Sequence, residues 1–381
     1  MSIEMDKTNV VFLLPGVDHG PVGGYKVVYE YANRLVYDGW SVTLVYPIVP
    51  YIFNFWKDLV NHPRSFIQGV YRLILEGWRN RNKEIKWFKI DQRVKQKYYF
   101  YLWKRLPASF EKRTRFVATY FWTAICLNKM RCQCEDKFYL IQDREDWYGF
   151  SEKQLKRTYR FQMTKIAISE WLRDYVQTTG ETCAFIPNGL DFDYFKMTVP
   201  IETRNKYSVA MLWNADERKR MDVAIDALKI VRENFPQLCV CAFGSTKRPD
   251  SLPEWIAYVQ RPDRDCHNGI YNHAAIFIAT SDQEGWGLTP CEAMICGAAV
   301  ACTDIGGYRS FAKDGVTALM SSPGDAELLA RNICRLISDD NLRIQIAKAG
   351  HENIKRFSWG RSLGKIEKLL NGSQRRVMYE R

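Results

Sequence analysis

The chain has no apolar run long enough to cross a bilayer. Its first residues, M-S-I-E-M-D-K, lack the apolar core of a signal peptide. Both absences point to a cytoplasmic protein. Histidine is scarce, with five in 381 residues, whereas there are eleven cysteines. The cysteines form no disulfide framework. Cys132 and Cys134 have the wrong spacing for a zinc knuckle, and no His/Cys set completes them. Cys239, Cys241 and Cys302 lie in apolar, strand-like runs and read as small core residues. There is no G-x-G-x-x-G, so no dinucleotide fingerprint, and no D-x-D in a convincing metal-binding setting. No nucleic-acid module and no short-period repeat are visible.

What is present is enough chain for two cores and a formal net charge of +12. The charge is uneven. Residues 51–115 hold 16 Lys and Arg against 5 Asp and Glu, an excess of 11. The same stretch is dense in aromatics, among them Trp78, Trp87, Phe88, Tyr98 and Tyr101. Its pieces read as amphipathic helices. Basic charge interleaved with Trp and Tyr suits an anionic membrane surface; a solvated helical insertion with its own aromatic core is the plain alternative. Nucleic acid is the least favoured partner, and none is expected.

The chemistry concentrates in S-D-Q-E-G-W-G-L-T-P-C-E-A-M-I-C-G, residues 281–297. An apolar run at 274–279 precedes it and reads as a buried parallel strand. The chain turns through Gly285 and Gly287 and opens a short helix. Thr289 is the expected cap, Pro290 suits the first turn and Gly297 the stop. Ala298–Ala301 reads as the next strand. A glycine loop leading into a helix start offers backbone N–H groups to phosphate. Glu284 and Glu292 flank it as acceptors for sugar hydroxyls, so the combination points to a nucleotide sugar. Alternatively, Thr289 and Glu292 form only a T-x-x-E capping box.

E-G-W-G-L-T-P-C-E-A-M resembles the E-x7-E signature of retaining GT-B glycosyltransferases, especially glycosyltransferase family 4. The resemblance implies an α/β GT-B fold: two Rossmann-like domains facing an interdomain cleft, with a C-terminal helix crossing back to the N-terminal domain. It implies transfer of a sugar from a nucleotide-sugar donor to a glycan or lipid-linked acceptor, with retention, no required metal and no cofactor. Glu284 would contact the donor sugar and Glu292 the ribose. The loop Gly285, Trp286, Gly287, Leu288 and Thr289 would hold the diphosphate. The family's Arg and Lys, five apart, neutralise that diphosphate; here Lys219 matches the Lys, and Asn214 stands where the Arg is expected. Arg218 or Arg220 would substitute, since a guanidinium can clamp phosphate from a neighbouring position.

The N-terminal half opens as βαβ. A strand at Asn9–Leu14 leads through P-G-V-D-H-G-P-V-G-G to a helix over 25–38 and a strand at 41–46. The resemblance brings Gly23 and Gly24 near the donor phosphates, and His19 in the same loop is a candidate for substrate binding or proton transfer. A strand near 116–124 ends in a turn. Another ends at Gln142, Asp143 and Glu145, where Asp143 or Glu145 would bind acceptor hydroxyls or act as a base. These two stretches resemble, more loosely, bacterial polysaccharide rhamnosyltransferases. The histidine some family 4 members carry after the first of them is absent here. I-P-N-G-L-D brings Asn188 and Gly189 toward the donor.

The domains expected are 1–197 (acceptor side, with the insertion at about 51–115), a polar linker near 198–205, 206–356 (donor side) and a returning helix at 357–372. Gln260–Pro262 falls where the family's backbone meets the base, and Gly306 and Gly307 resemble the family's G-G beside the donor. A GT-B epimerase or hydrolase, and a non-catalytic nucleotide-sugar or membrane-binding module, stay open as alternatives.

Overall fold

The computed structural model describes residues 9–17, 20–48, 71, 74–75, 78–79, 85–102, 104–111, 114–146 and 150–372. It contains two all-parallel sheets in two compact units. The first unit takes Met1–Ile168, Leu172–Ile186 and Leu363–Arg381; the second takes Ser169–Trp171 and Pro187–Ser362.

The first sheet holds β1 (Asn9–Leu13), β2 (Ser41–Pro47), β3 (Lys95–Tyr99), β4 (Arg115–Ala118), β5 (Lys137–Ile141), β6 (Thr164–Ala167) and β7 (Cys183–Phe185). Their order is β3-β2-β1-β4-β5-β6-β7. Central strands such as β5 are buried at every position, which is why they read as unbroken apolar runs. Helix Gly23–Tyr37 packs Val27, Val28, Tyr31 and Leu35 inward at helical spacing.

Two expectations in this half need correcting. The stretch 51–115 is not helical throughout: Lys95–Tyr99 pairs parallel with β2 as an edge strand. Lys95 and Lys97 stay exposed, as an edge requires, while Tyr98 stacks on Tyr46 at 5.0 Å. Secondly, the turn expected after β4 is a helix, Phe121–Asn128. It is buried on nearly all sides, so it shows no amphipathic period. Its start is fixed by the Thr123 hydroxyl, which accepts from the N–H groups of Thr119 and Tyr120, and by Glu145 Oε2, which accepts from Phe121 N–H at 2.6 Å.

The second sheet holds β8 (Ser208–Leu212), β9 (Cys239–Gly244), β10 (Ile256–Gln260), β11 (Ile276–Ala279), β12 (Ala299–Thr303) and β13 (Leu319–Ser321), in the order β10-β9-β8-β11-β12-β13. Helices Met221–Asn234, Ala326–Ser338 and Asp340–Ile354 cover it. The final helix, Trp359–Leu370, passes from the second unit into the first. Near its start Ser362 donates to the Pro187 carbonyl at 2.7 Å. Near its end Trp40 Nε1 donates to Glu367 at 2.8 Å and Arg115 Nε to the Leu370 carbonyl at 2.8 Å.

Most of the polar segment before β8 is exposed, but Ile201 and Arg204 turn inward. Arg204 is only 6% exposed. Its guanidinium donates to the carbonyls of Val199 (2.9 Å), Ala274 (2.9 Å) and Cys296. The last two end helices Arg264–His273 and Leu288–Ile295, so one cation satisfies two helix C-termini. Burial pulls the guanidinium down to about 10, so it stays charged at neutral pH. Arg204→Met leaves those carbonyls without their donor and should lower stability by about 3 kcal/mol. Urea unfolding is the measurement; an unchanged midpoint contradicts this role.

Candidate active site

β8 and β11 are neighbours at the centre of the second sheet, and the chain leaves them in opposite directions, β8 toward β9 and β11 toward β12. Beyond the carboxyl ends of two such strands an open α/β sheet leaves room for a ligand. The segments that follow them carry the chemistry. After β8 come Asn214 and the 3₁₀ turn Glu217–Lys219. After β11 comes the glycine loop leading to helix Leu288–Ile295. Backbone carbonyls of the first segment accept from the second: Thr280 Oγ1 donates to the Lys219 carbonyl at 2.8 Å, and Asp282 N–H to the Arg218 carbonyl at 2.8 Å.

Lys219 Nζ and Glu284 Oε1 form an ion pair across that junction. The side chains are 21% and 18% exposed, so both remain reachable. They line a recess together with Asn214, Ser281, Thr289 and Tyr308. Ser281 Oγ also donates to Glu284 Oε1, at 2.7 Å.

The loop's geometry depends on Gly287. It caps the helix at φ 102°, and a Cβ there would lie 2.4 Å from the Tyr308 ring. The expected Thr289 cap is therefore corrected: the N-cap is Gly287, and no side chain caps the helix. The T-x-x-E box does not form either, because Thr289 lies inside the helix. Glu292 is 5% exposed and accepts from the Tyr271 hydroxyl at 3.0 Å. The Trp286 indole is 2% exposed, edge-on to Phe357 at 4.9 Å, so it anchors the loop from the core. Gly285 is buried beside it, while Gly287, Leu288 and Thr289 are partly exposed.

The arginines are already engaged. Arg218 forks onto Asp216, with Nη2 to Oδ2 at 2.6 Å. Arg220, in the left-handed region at φ 48°, bonds Asp222 at 2.8 Å and Asp282 at 3.0 Å. Asn214, where the family's Arg is expected, accepts from Asp216 N–H. Lys219 is thus the cation placed directly at the recess. Gly307 is a close-approach position, since a Cβ would lie 2.4 Å from the Glu284 carbonyl. Arg261, in the 260–262 segment, takes φ 48° and donates from N–H to the Gly244 carbonyl. Asn188 is 2% exposed, and a Cβ on Gly189 would strike Trp359.

In the first unit Gly23 and Gly24 open helix Gly23–Tyr37, and a Cβ on Gly24 would touch Gln142 at 3.4 Å. Asp143 accepts from Arg144 N–H at 2.8 Å. Glu145 is 2% exposed and serves the start of helix Phe121–Asn128, with Tyr139 OH at 3.5 Å. Burial pushes its carboxyl well above its ordinary value. His19 lies outside the described residues. Residue types and spacing missed Ser281, Tyr271 and Tyr308. Ser281, three before Glu284, was the one with a readable signal.

Residues 200–353 match the family model "Glycosyl transferases group 1". The phosphatidyl-myo-inositol mannosyltransferase of Mycobacterium leprae is 29% identical over 206 residues, 51% of this chain and 55% of the relative. The D-inositol 3-phosphate glycosyltransferase of Salinispora tropica is 28% identical over 175 residues, 41% of this chain and 36% of the relative. The chain thus spans about half the length, or less, of these relatives. Among solved structures, Anabaena HepE in complex with UDP-glucose superposes with a TM-score of 0.69 at 15% identity, covering 96% of this chain and 99% of that one. TarM gives 0.70 at 14%, covering 95% and 98%. The fold is GT-B.

Gly287→Ala must place an L residue at φ 102° against Tyr308, and should lower stability by about 3 kcal/mol; a parent-like melting temperature refutes the fit. Glu145 keeps its proton in the folded chain to higher pH than in the unfolded one, so ionising it opposes folding. Stability is lost as pH rises above about 4.5, where the unfolded carboxyl ionises, and levels off above the folded value. Glu145→Gln retains an acceptor for Phe121 N–H and should flatten that part of the melting-temperature profile. An unchanged slope would contradict the assignment.

Proposed function

With a group 1 glycosyl transferase domain at residues 200–353 on a GT-B scaffold, we propose that the protein transfers a sugar from a nucleotide-sugar donor to a glycan or lipid-linked acceptor in cell-surface polysaccharide synthesis. It does so with retention at the anomeric carbon and without a metal. The observation that carries this reading is the Lys219–Glu284 pair beside a helix start that Gly287 leaves without a side-chain cap. The loop amides and Lys219 receive the diphosphate and stabilise its charge as it departs. Glu284 accepts from donor sugar hydroxyls, and Glu292, held by Tyr271, accepts from the ribose. Gly23, Gly24, Asn188 and Gly189 are the further donor candidates, and Asp143 is the acceptor candidate. Arg218 and Arg220 reach phosphate only by releasing their carboxylates, which gives them lesser parts.

The relatives' names include an enzyme of phosphatidyl-myo-inositol, which favours a lipid-linked acceptor here. The basic stretch supports the same reading: Phe100 and Tyr101 are 51% and 54% exposed, near exposed Lys97, Lys104 and Arg105. It docks the enzyme on the anionic inner face of the membrane. No helix among the described residues is long and apolar enough to cross a membrane.

A thermal-shift screen of UDP, GDP, dTDP and ADP identifies the base, and transfer assays with the matching sugars follow. Lys219→Ala and Glu284→Ala should each lower transfer by about 100-fold or more; parent-like rates end the mechanism. Replacing Lys86, Lys89, Lys95 and Lys97 with Gln should weaken pelleting with phosphatidylserine vesicles by about tenfold. Unchanged pelleting removes the docking.

A further inference from the structure

Glu284 faces an exchange of partners if it works as proposed above. Its Oε1 is paired with Lys219. The same Lys219 is the cation meant for the diphosphate. When the donor arrives and draws Lys219 away, a carboxylate only 18% exposed loses its counter-charge. A partly desolvated carboxylate without donors is costly and turns toward solvent or another cation. Groups of the protein must then keep it aimed at the sugar hydroxyls it meets.

Two hydroxyls outside the E-x7-E signature meet that need. Ser281 Oγ donates to Glu284 Oε1 at 2.7 Å. Tyr308 OH donates to Ser281 Oγ at 3.2 Å, which orients the serine proton toward the carboxylate. Ser281 is 3% and Tyr308 2% exposed, so both residues are held largely within the protein. Burial, with the charge of Glu284 adding to it, raises the Tyr308 phenol well above its ordinary range, so it remains a donor. The serine is itself fixed: Thr303 Oγ1 donates to its carbonyl at 2.6 Å. Gly307 lets its own backbone lie against the Glu284 carbonyl, where a Cβ would stand 2.4 Å away. The Tyr308 ring also abuts Gly287, where the loop turns into its helix.

We propose that Ser281 and Tyr308 are positioning residues that hold Glu284 on the donor sugar while Lys219 passes from Glu284 to the diphosphate. The inference rests on the glycosyltransferase reading and adds a relay, Tyr308 to Ser281 to Glu284, that remains when the ion pair opens. No bond is made or broken in the relay, and each proton stays on its hydroxyl. Lys219 then acts on the phosphates and Ser281 on the carboxylate, so the two contributions separate in kinetics. Loss of a relay hydroxyl should act on turnover more than on donor affinity, because the phosphate contacts survive.

The test measures kcat and donor KM for Ser281→Ala, Ser281→Thr and Tyr308→Phe beside Lys219→Ala and Glu284→Gln, with melting temperatures for all. Ser281→Ala should lower kcat by about 30-fold and change donor KM by less than about threefold. Ser281→Thr, which keeps the hydroxyl, should recover most of the rate. Tyr308→Phe, one step further out, should lower kcat by about fivefold. A parent-like kcat for Ser281→Ala or Tyr308→Phe, in a background where Glu284→Gln is impaired, overturns the relay alone. An equal loss in Ser281→Ala and Ser281→Thr also overturns it, because shape and not the hydroxyl would then matter. Parent-like rates for Lys219→Ala and Glu284→Gln overturn the glycosyltransferase mechanism instead.

Discussion

The ion pair between Lys219 and Glu284 joins the two segments that leave the central strands of the second sheet. Its formation requires that both strands end at the same level and that the chain depart from them in opposite directions. Parallel pairing of β8 with β11 supplies the first condition. The crossovers to β9 and β12 supply the second. The recess, the glycine loop and the relay through Ser281 are all arranged around this pair. The site is therefore a consequence of strand order before it is a consequence of any one side chain.

Close approach does the rest. Gly287 must turn through a left-handed conformation against Tyr308, and Gly307 must lie against the Glu284 carbonyl. Trp286 fixes the loop from the core side, edge-on to Phe357. Arg204 closes the far end of helix Leu288–Ile295 through the Cys296 carbonyl. A short helix is marginal by itself. Here its two ends are held by residues distant in sequence, which keeps its first turn in place for a ligand.

Much of this was legible in the residues. Buried parallel strands announced themselves as apolar runs, and E-G-W-G-L-T-P-C-E marked the loop. What escaped the reading has physical causes. Helix Phe121–Asn128 is buried on nearly all sides and so carries no period to detect. Strand Lys95–Tyr99 lies at an edge, where lysines stay outside and the apolar signal is thin. Glu145, read as a candidate base, instead supports a helix start. The Thr289 cap failed because Gly287 took that position. Tyr308 and Tyr271 act across the fold, on Ser281 and Glu292, and local spacing holds no trace of such contacts.

The most direct measurement is a crystal structure of the chain with the nucleoside diphosphate that stabilises it best. The account predicts a diphosphate against the amides of Gly287, Leu288 and Thr289, with Lys219 Nζ on a phosphate oxygen and Glu284 still bonded to Ser281. A nucleotide bound elsewhere, or Lys219 still paired with Glu284 beside an occupied site, would contradict it.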